Sequence, residues 1–533
     1  MSNKVSKKGS GAKKNDGAAL ITEIISKMTS VYVLLLFSVF PLFATDKYYN
    51  VLRDKYYFFF YSTIAVLVIA VLVIAVGFMG GLLKGEAGER FIDKLTDITI
   101  TDKFFMAFFA CAFISTFTSE WIYESFWGNV GRLQGLFFFA ICYICYYLIT
   151  RFFTFKPFYL YVLLAVGTLT CLWGITDYLG LDILGWRADA QDYIGMLVFT
   201  SSYGNVNTAT EVFAVFAGLA AVLSVGHEKP WIFYVSALIC FMGMITGFSD
   251  NAFLAVCGIM GLLPFWCFND RKGVIRYLIL CAVLLLSMAL TGWLTSVWTK
   301  TPVLPEWHWG VLLVLANKHA GLCLLAAVSV SGLAALLYLI WKKDTDAQAP
   351  FLKRAWYFIF AATVLFVIFA FIDANAGKHA GLWEPLSGFL IFNDRWGTNR
   401  GFAWRKAWEF FKDFSIIKKL FGTGPETYAI FMAKYCYYEM IDFMDAIFDS
   451  PHSEPIQYFF TTGVFGGICY YATIISGVAR GFKRNLWSAA FAFAVIGYTF
   501  ASIIDISVPI ATPYLIFSLA LSVSAQYGDN KEV

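Results

Sequence analysis

Two side chains near the C-terminal end of the sequence are suited to group-transfer chemistry. His452 lies in the polar segment 449–454, and the ordinary pKa of histidine, near 6.5, suits proton transfer or a polarised hydrogen bond. Arg400 carries a guanidinium, which can bind two phosphate oxygens through parallel hydrogen bonds. A purely structural role beside Pro451 is the alternative for His452.

Basic residues are concentrated around Arg400, between two stretches of apolar sequence. They are Lys378, Arg395, Arg400, Arg405, Lys406, Lys412, Lys418, Lys419 and Lys434. Arginine binds phosphate with a planar fork and lysine adds a point charge, so the cluster predicts an anionic ligand such as a pyrophosphate on a lipid carrier. A basic helix face that is solvated, or that lies against lipid headgroups, is the alternative.

The acidic residues of the same region suggest a metal site only weakly. They are Asp442, Asp445, Asp449 and Glu454. Their order matches no calcium-loop or zinc-ligand pattern, and basic residues surround them. We therefore expect a salt-bridged or solvated face, no metal ion and no cofactor.

Two further polar elements interrupt apolar runs earlier in the chain. Segment 201–207 contains Asn205 and Asn207, and its Gly and Asn residues permit an irregular turn at the start of a helix. Segment 249–251 contains Ser249 and Asp250, an ionisable residue at a membrane edge and hence a functional candidate. The alternative for Asp250 is that of a helix N-cap.

The composition shows which elements must position these residues. Of 533 residues, 59% are hydrophobic and only 14% are charged, which excludes a water-soluble fold. The sequence predicts an all-α polytopic membrane protein with about 12 to 14 transmembrane helices. The predicted spans are near residues 29–45, 56–78, 103–117, 132–150, 157–178, 206–226, 231–247, 250–268, 275–297, 319–341, 354–373, 456–478, 486–504 and 507–526.

The predicted spans divide the chain into five parts. They are a disordered basic cytosolic tail (1–28), a bundle of about 11 helices (29–373), a large structured extracytoplasmic loop that carries the catalytic residues (374–455), about three C-terminal helices (456–526) and a cytosolic tail (527–533). Seventeen Lys and Arg residues fall in the short connections on the side of the N-terminus and seven in those on the other side. The positive-inside rule therefore places both termini in the cytosol.

The polar elements, taken in order, resemble those of the O-antigen ligase and polymerase superfamily of membrane glycosyltransferases. The similarity begins near Ile114, and Gly204–Asn207 is similar to the family's Gly-Asn-Pro-Asn element, with Val206 in place of the proline. The most specific part comprises Arg400, Trp404, Gly422–Pro425, His452–Ser453, Gln457 and Thr462–Gly466. The family usually has His-Asn where this chain has His452–Ser453.

The resemblance implies transfer of a glycan from an undecaprenyl-pyrophosphate carrier to an acceptor on the external face of a bacterial plasma membrane. The reaction would invert the anomeric centre and need no metal or nucleotide sugar. His452 would orient or deprotonate the acceptor hydroxyl, and Arg400 would stabilise the leaving pyrophosphate.

The resemblance also assigns supporting roles. Donor pyrophosphate binding would involve Arg400, Arg405, Lys406, Arg132 and Arg187; support would come from Asn205, Asn207, Ser249, Asp250, Gly424, Ser453, Glu454 and Gln457. Many family members have an arginine at the position of Asp250, so the charge is reversed here. We expect another cation, such as Arg187 or Arg132, to replace it, or else a different donor geometry.

Two other functions remain open from sequence: a flippase or transporter of lipid-linked oligosaccharides, and a peptidoglycan-type polymerase. A transporter tends to show internal repeats and broken helices at the midplane, and the sequence shows no repeat. An essential loop carboxylate would distinguish the polymerase. The expected partners are the lipid-linked donor, membrane lipids and a glycan, lipid or protein acceptor, with no nucleic acid.

Overall fold

The computed structural model describes residues 17–188, 196–298, 309–377 and 379–525, and it is almost entirely helical. Among these residues, nine helices are long and apolar enough to cross a membrane, and four shorter apolar helices accompany them. The protein is therefore an all-α polytopic membrane protein, as its hydropathy predicted. The one sheet in the described part pairs β1 (Phe199–Thr200) with β2 (Gly204–Asn205) in antiparallel fashion.

The helices before the polar C-terminal region are α1 (Gly17–Ser38), α2 (Val51–Met79), α3 (Glu86–Thr96), α4 (Ile100–Phe117), α5 (Ile122–Trp127), α6 (Leu136–Phe152), α7 (Pro157–Tyr178), α8 (Val206–Gly226), α9 (Trp231–Thr246), α10 (Asn251–Cys267), α11 (Arg271–Val297), α12 (Val311–Trp341) and α13 (Pro350–Ala376). The later helices are α14 (Ala380–Trp383), α15 (Ser387–Leu390), α16 (Trp396–Asp413), α17 (Ile416–Phe421), α18 (Thr427–Tyr435), α19 (Tyr437–Met444), α20 (Glu454–Thr461), α21 (Gly463–Arg484), α22 (Leu486–Ala501) and α23 (Thr512–Ser524). Short 3-10 turns cover Phe40–Leu42, Glu384–Leu386 and Ser502–Ile504.

Two helices differ from the predicted spans. Helix α1 begins at Gly17, not near residue 29, because Ile21 and Ile25 are buried in the core despite their polar neighbours. The predicted tail is therefore helical from Gly17 onward, and its first 16 residues lie outside the described part. The predicted span 456–478 is two helices, α20 and α21, which meet at Gly463 with φ of 72°.

Helix α8 is the centre of the bundle, and almost all its residues are buried. Small residues allow α8 and α22 to pack with their backbones close together. A Cβ atom added at Gly218 would lie 2.2 Å from the carbonyl oxygen of Phe493, and one added at Gly497 would lie 2.4 Å from that of Ala214. This contact fixes the middle of α8 against α22, and Asn205 and Asn207 lie at the N-terminal end of the same helix.

The polar region after α13 has a small apolar core of its own. Phe402 and Ala407 of α16 pack with Tyr428 and Met432 of α18 and with Phe460 of α20. Trp404, Trp408 and Phe411 lie at helical spacing along α16. The region is thus a folded unit that holds Arg400 and His452.

Replacing Gly218 by alanine is expected to lower the free energy of unfolding by about 1 to 3 kcal/mol, because the new methyl group would collide with the α22 backbone. Gly321→Ala is the matched control, since a Cβ atom at Gly321 in α12 would meet no atom within 4 Å. Thermal unfolding of the purified protein would measure the difference. Equal melting temperatures would contradict the close contact of α8 with α22.

Candidate functional site

A polar cavity of about 320 Å³ brings together six of the residues predicted from sequence. They are Asn205, Asn207, Ser249, Asp250, Arg400 and His452. The rest of the wall consists of Val198, Val206, Phe248, Trp309, Gly310, Thr398 and Phe448. The cavity lies where the N-terminal ends of α8, α10 and α12 meet α16 and the loop before α20.

Arg400 follows a left-handed turn that sets the direction of its side chain. Gly397, Thr398 and Asn399 have φ angles of 59°, 61° and 67°. The Nη1 group of Arg400 donates to the carbonyl of Gly397 over 2.9 Å, whereas its buried Nε has no hydrogen-bond partner. No ion pair involving Arg400 is found among the described residues, so this guanidinium is available to an anion.

Strained backbone is concentrated at the cavity. Phe248, Thr398 and His452 all line it, and all have positive φ angles, of 59°, 61° and 48°. A bulky aromatic residue rarely adopts this conformation, and each such residue costs roughly 1 to 3 kcal/mol. Such strain tends to occur where function, not stability, selects the geometry, which favours this cavity as the functional site.

The surroundings of His452 define its tautomer. Its Nδ1 lies 3.1 Å from the carbonyl oxygen of Ser450, and a carbonyl only accepts, so Nδ1 carries the proton and Nε2 is left as an acceptor. The ring packs edge-on against Phe448, with centroids 5.1 Å apart. The indole N–H of Trp404 donates to the carbonyl of Pro451 over 2.8 Å and so holds the loop in place.

The electrostatic surroundings of His452 keep it neutral. Burial lowers the pKa of His452 to about 4, and the positive charges of Arg400 and Arg132 act in the same direction. At neutral pH the ring is therefore an uncharged hydrogen-bond acceptor. Such a group can orient a hydroxyl and take its proton as that hydroxyl reacts.

Asp505 is a residue near the site that the sequence analysis did not select. It is buried, and its two carboxylate oxygens accept from the N–H of Ile506 (2.8 Å) and from Nδ2 of Asn251 (2.8 Å). Asn251 also donates to the carbonyl of Asn207, over 2.9 Å. Burial raises the pKa of Asp505 to about 6, opposed by Arg400. Asp505, like Asp250, lies between two apolar runs of the sequence, so the criterion that identified Asp250 could also have identified Asp505.

Asp250 lines the cavity, but it does not form the expected cap on its own helix. It occupies the N-cap position of α10 but makes no side-chain bond to that helix. Its carboxylate instead accepts from the backbone N–H of Val311, over 2.9 Å, and so caps the start of α12. The carboxylate of Asp250 therefore connects the start of α10 to the start of α12, and both helix ends contribute to the cavity wall.

Neither Arg132 nor Arg187 lines the cavity in place of the missing arginine. Arg132 forms a salt bridge with Asp449, three residues before His452. Arg187 is buried and donates to the carbonyls of Asp177 and Phe199. Arg132 thus stabilises the loop that carries His452, and Arg187 stabilises the turn before α8.

Arg405 and Lys406 are also engaged outside the cavity. Arg405 pairs with Asp394 at 2.7 Å and with Glu409 at 2.6 Å. Lys406 pairs with Glu409 at 3.2 Å and with Glu439 at 2.5 Å. These contacts join α16 to its neighbours, and neither residue lines the cavity that contains Arg400.

The remaining predicted residues surround the histidine loop and do not line the cavity. Gly424 has φ of 109°, and a Cβ atom there would lie 2.2 Å from Oγ of Ser125. Ser453 is the N-cap residue of α20, and its carbonyl accepts from the N–H of Gln457 over 2.9 Å. Glu454 is buried and accepts from the hydroxyl of Tyr498 over 3.2 Å.

The fold and this cavity define a multi-pass membrane protein with a polar site at one end of its helix bundle. Residues 309–471 match the model of the family described as O-antigen ligase. This segment of the chain is therefore similar to the O-antigen ligase family, which confirms the resemblance and supports membrane glycosyl transfer of the ligase or polymerase type. No curated protein matches the chain. The matched segment contains Arg400 and His452, whereas Asn205, Asn207 and Asp505 lie outside it.

Replacing Arg400 by glutamine is expected to raise the pKa of His452 above about 4, because loss of a nearby positive charge favours the imidazolium. Arg395→Gln, at an exposed position that does not line the cavity, is the matched control. Histidine NMR on protein that retains only His452 would give both pKa values. A pKa near 6.5 in the protein with Arg400 would contradict the buried, cationic surroundings.

Proposed function

We propose that this protein transfers a glycan from an undecaprenyl-pyrophosphate carrier to an acceptor on the extracytoplasmic face of a bacterial plasma membrane. The single observation that carries the proposal is the cavity in which Arg400 and His452 meet beside Asn205 and Asn207. The similarity of residues 309–471 to the O-antigen ligase family supports the same reaction class. The excess of basic residues in the opposite connections supports the extracytoplasmic placement.

The proposed mechanism begins with donor binding at Arg400. Its unpartnered Nε and the rest of its guanidinium would bind pyrophosphate oxygens. As the bond between the anomeric carbon and the phosphate oxygen breaks, negative charge develops on the pyrophosphate, and Arg400 stabilises it. The fixed left-handed turn before Arg400 keeps the cation in place, which reduces the cost of reorganisation.

Activation of the acceptor falls to His452. Its Nε2 accepts a hydrogen bond from the acceptor hydroxyl and takes the proton as the oxygen attacks the anomeric carbon from the side opposite the pyrophosphate. This single displacement inverts the anomeric centre. The residues act without a metal in this scheme, because the positive charge comes from Arg400.

Both carboxylates near the cavity already have donors, which favours the arginine–histidine pair over a carboxylate-centred polymerase. Asp250 accepts from Val311, and Asp505 accepts from Asn251 and Ile506. Among the described wall residues, Arg400 has an unpartnered Nε that can bind an anion and His452 has an Nε2 that can accept a proton.

Replacing Arg400 or His452 by alanine is expected to reduce turnover by about 10² to 10⁴, the usual contribution of an acid–base group or an oriented charge. The measurement is release of undecaprenyl pyrophosphate from a lipid-linked oligosaccharide by purified protein in lipid. Arg395→Ala and His227→Ala are matched controls, because neither residue lines the cavity. Unchanged turnover in both site variants would exclude the mechanism, and transbilayer movement of the same lipid would then test the transporter alternative.

Replacing Asp250 by asparagine is expected to change turnover by less than about tenfold, equivalent to about 1.4 kcal/mol. The amide oxygen of asparagine can still accept from the N–H of Val311, so the cap on α12 survives without the charge. A loss as large as that for His452→Ala would point instead to a polymerase with an essential carboxylate. The same release assay distinguishes the two outcomes.

A further inference from the structure

The chain after α13 folds back along that helix instead of continuing away from its end. Trp383 is only 6% exposed, and its indole N–H donates to Oδ2 of Asp373 over 2.7 Å. Its ring also lies against Phe366, with centroids 6.2 Å apart. Phe366 is ten residues before the helix end at Ala376, which corresponds to about 15 Å along the axis.

The segment then returns to the end of α13. Nδ2 of Asn375 donates to the carbonyl of Leu390 over 2.7 Å, and Oδ1 of Asn375 accepts from the N–H of Phe392 over 2.9 Å. Residues 379–392 therefore descend to the level of the outer turns of α13 and rise again. The only residues of α13 that are buried, Ala370, Asp373 and Ala374, lie where this segment covers the helix.

The other face of the segment is apolar and uncovered. Leu382, Leu386 and Phe389 come from three successive short helical turns of the segment and are 68%, 49% and 57% exposed. The membrane-spanning helix α13 exposes Phe369 and Ile372 in the same part of its length. The exposed apolar surface of the segment thus continues the lipid-facing surface of α13.

We propose that residues 379–392 form a re-entrant segment whose Leu382, Leu386 and Phe389 contact the acyl chains of the bilayer. In water these side chains would form an exposed apolar patch, which carries a free-energy cost. Contact with lipid acyl chains removes that cost. The buried carboxylate of Asp373 anchors the segment to α13, because it accepts hydrogen bonds from the indole N–H of Trp383 and from Nδ1 of His379 (3.0 Å). The lipid contact is independent of the reaction that the protein catalyses.

The segment is also joined to the turn that carries Arg400. The indole N–H of Trp396 donates to the carbonyl of Phe389 over 2.9 Å, and the left-handed residues Gly397 to Asn399 follow directly. Trp396 also packs on Trp404, with centroids 5.0 Å apart. Under the proposed function, Trp396 is therefore a positioning residue that transmits the depth of the segment in the bilayer to Arg400.

Spin labels on single cysteines at positions 382, 386 and 389 of the full chain in liposomes test the lipid contact. We expect higher accessibility to oxygen than to a water-soluble nickel chelate, as for a label at the lipid reference Phe369. Tyr438, 80% exposed in α19, provides the water reference. Labels that are as accessible to the nickel chelate as a label at Tyr438 would overturn the proposal. Labels shielded from both reagents would also overturn it, and would indicate that a second copy of the chain covers the segment.

The coupling to Arg400 needs a separate measurement, because its failure must be distinguishable from failure of the proposed function. We expect glycan transfer in bilayers of different acyl length to vary by at least about threefold, since mismatch shifts the segment. Trp396→Phe, which removes the donor to Phe389, should abolish that dependence, whereas Trp408→Phe should retain it. Activity that does not depend on acyl length in the protein with Trp396 would overturn the coupling and leave the transferase proposal intact.

Discussion

Among the described residues of the cavity wall, the guanidinium of Arg400 is the one cation, and the other polar wall residues lie around it. The neighbouring cations Arg132, Arg405 and Lys406 are each neutralised by a carboxylate. The carboxylates of Asp505 and Asp250 attract Arg400 at longer range, and Arg400 forms no direct ion pair among the described residues. Burying an unpaired charge is costly, so the geometry is explained most simply by an anion that binds there.

A rigid base is needed to hold such a charge in place. Helix α8 provides it, because Gly218 and Gly497 let α8 and α22 approach to backbone contact. The same helix begins at Asn205, whose side chain caps it by accepting from the N–H of Asn207 over 2.9 Å. Asn251 then joins Asn207 to Asp505, so three separate parts of the chain meet beneath Arg400. The site is strained locally and supported by a helix of which almost every residue is buried.

Much of the helix architecture could be predicted from sequence because hydropathy reports directly on burial in a membrane. The predicted span 206–226 coincides with α8. The helical structure from Gly17 to residue 28 was not predicted, because polar residues surround the buried Ile21 and Ile25 in the sequence. Asn205, Asn207, Arg400 and His452 were selected by residue type and motif, and the structure brings them together. The ion pairs of Arg405 and Arg132 could not be predicted, because they depend on which carboxylates the fold brings near. The left-handed turn before Arg400 had no sequence signal beyond Gly397.

The low pKa of His452 becomes a functional property when the donor is considered. Burial and the charges of Arg400 and Arg132 hold the pKa of His452 near 4, which makes the ring a weak base. A bound pyrophosphate would neutralise Arg400 and add negative charge, and both changes favour the imidazolium. The basicity of His452 would then rise only in the complex that contains the donor. Under the proposed function, activation of the acceptor hydroxyl would thereby be linked to the presence of the leaving group, since the cation proposed to bind the pyrophosphate also lowers the pKa of His452.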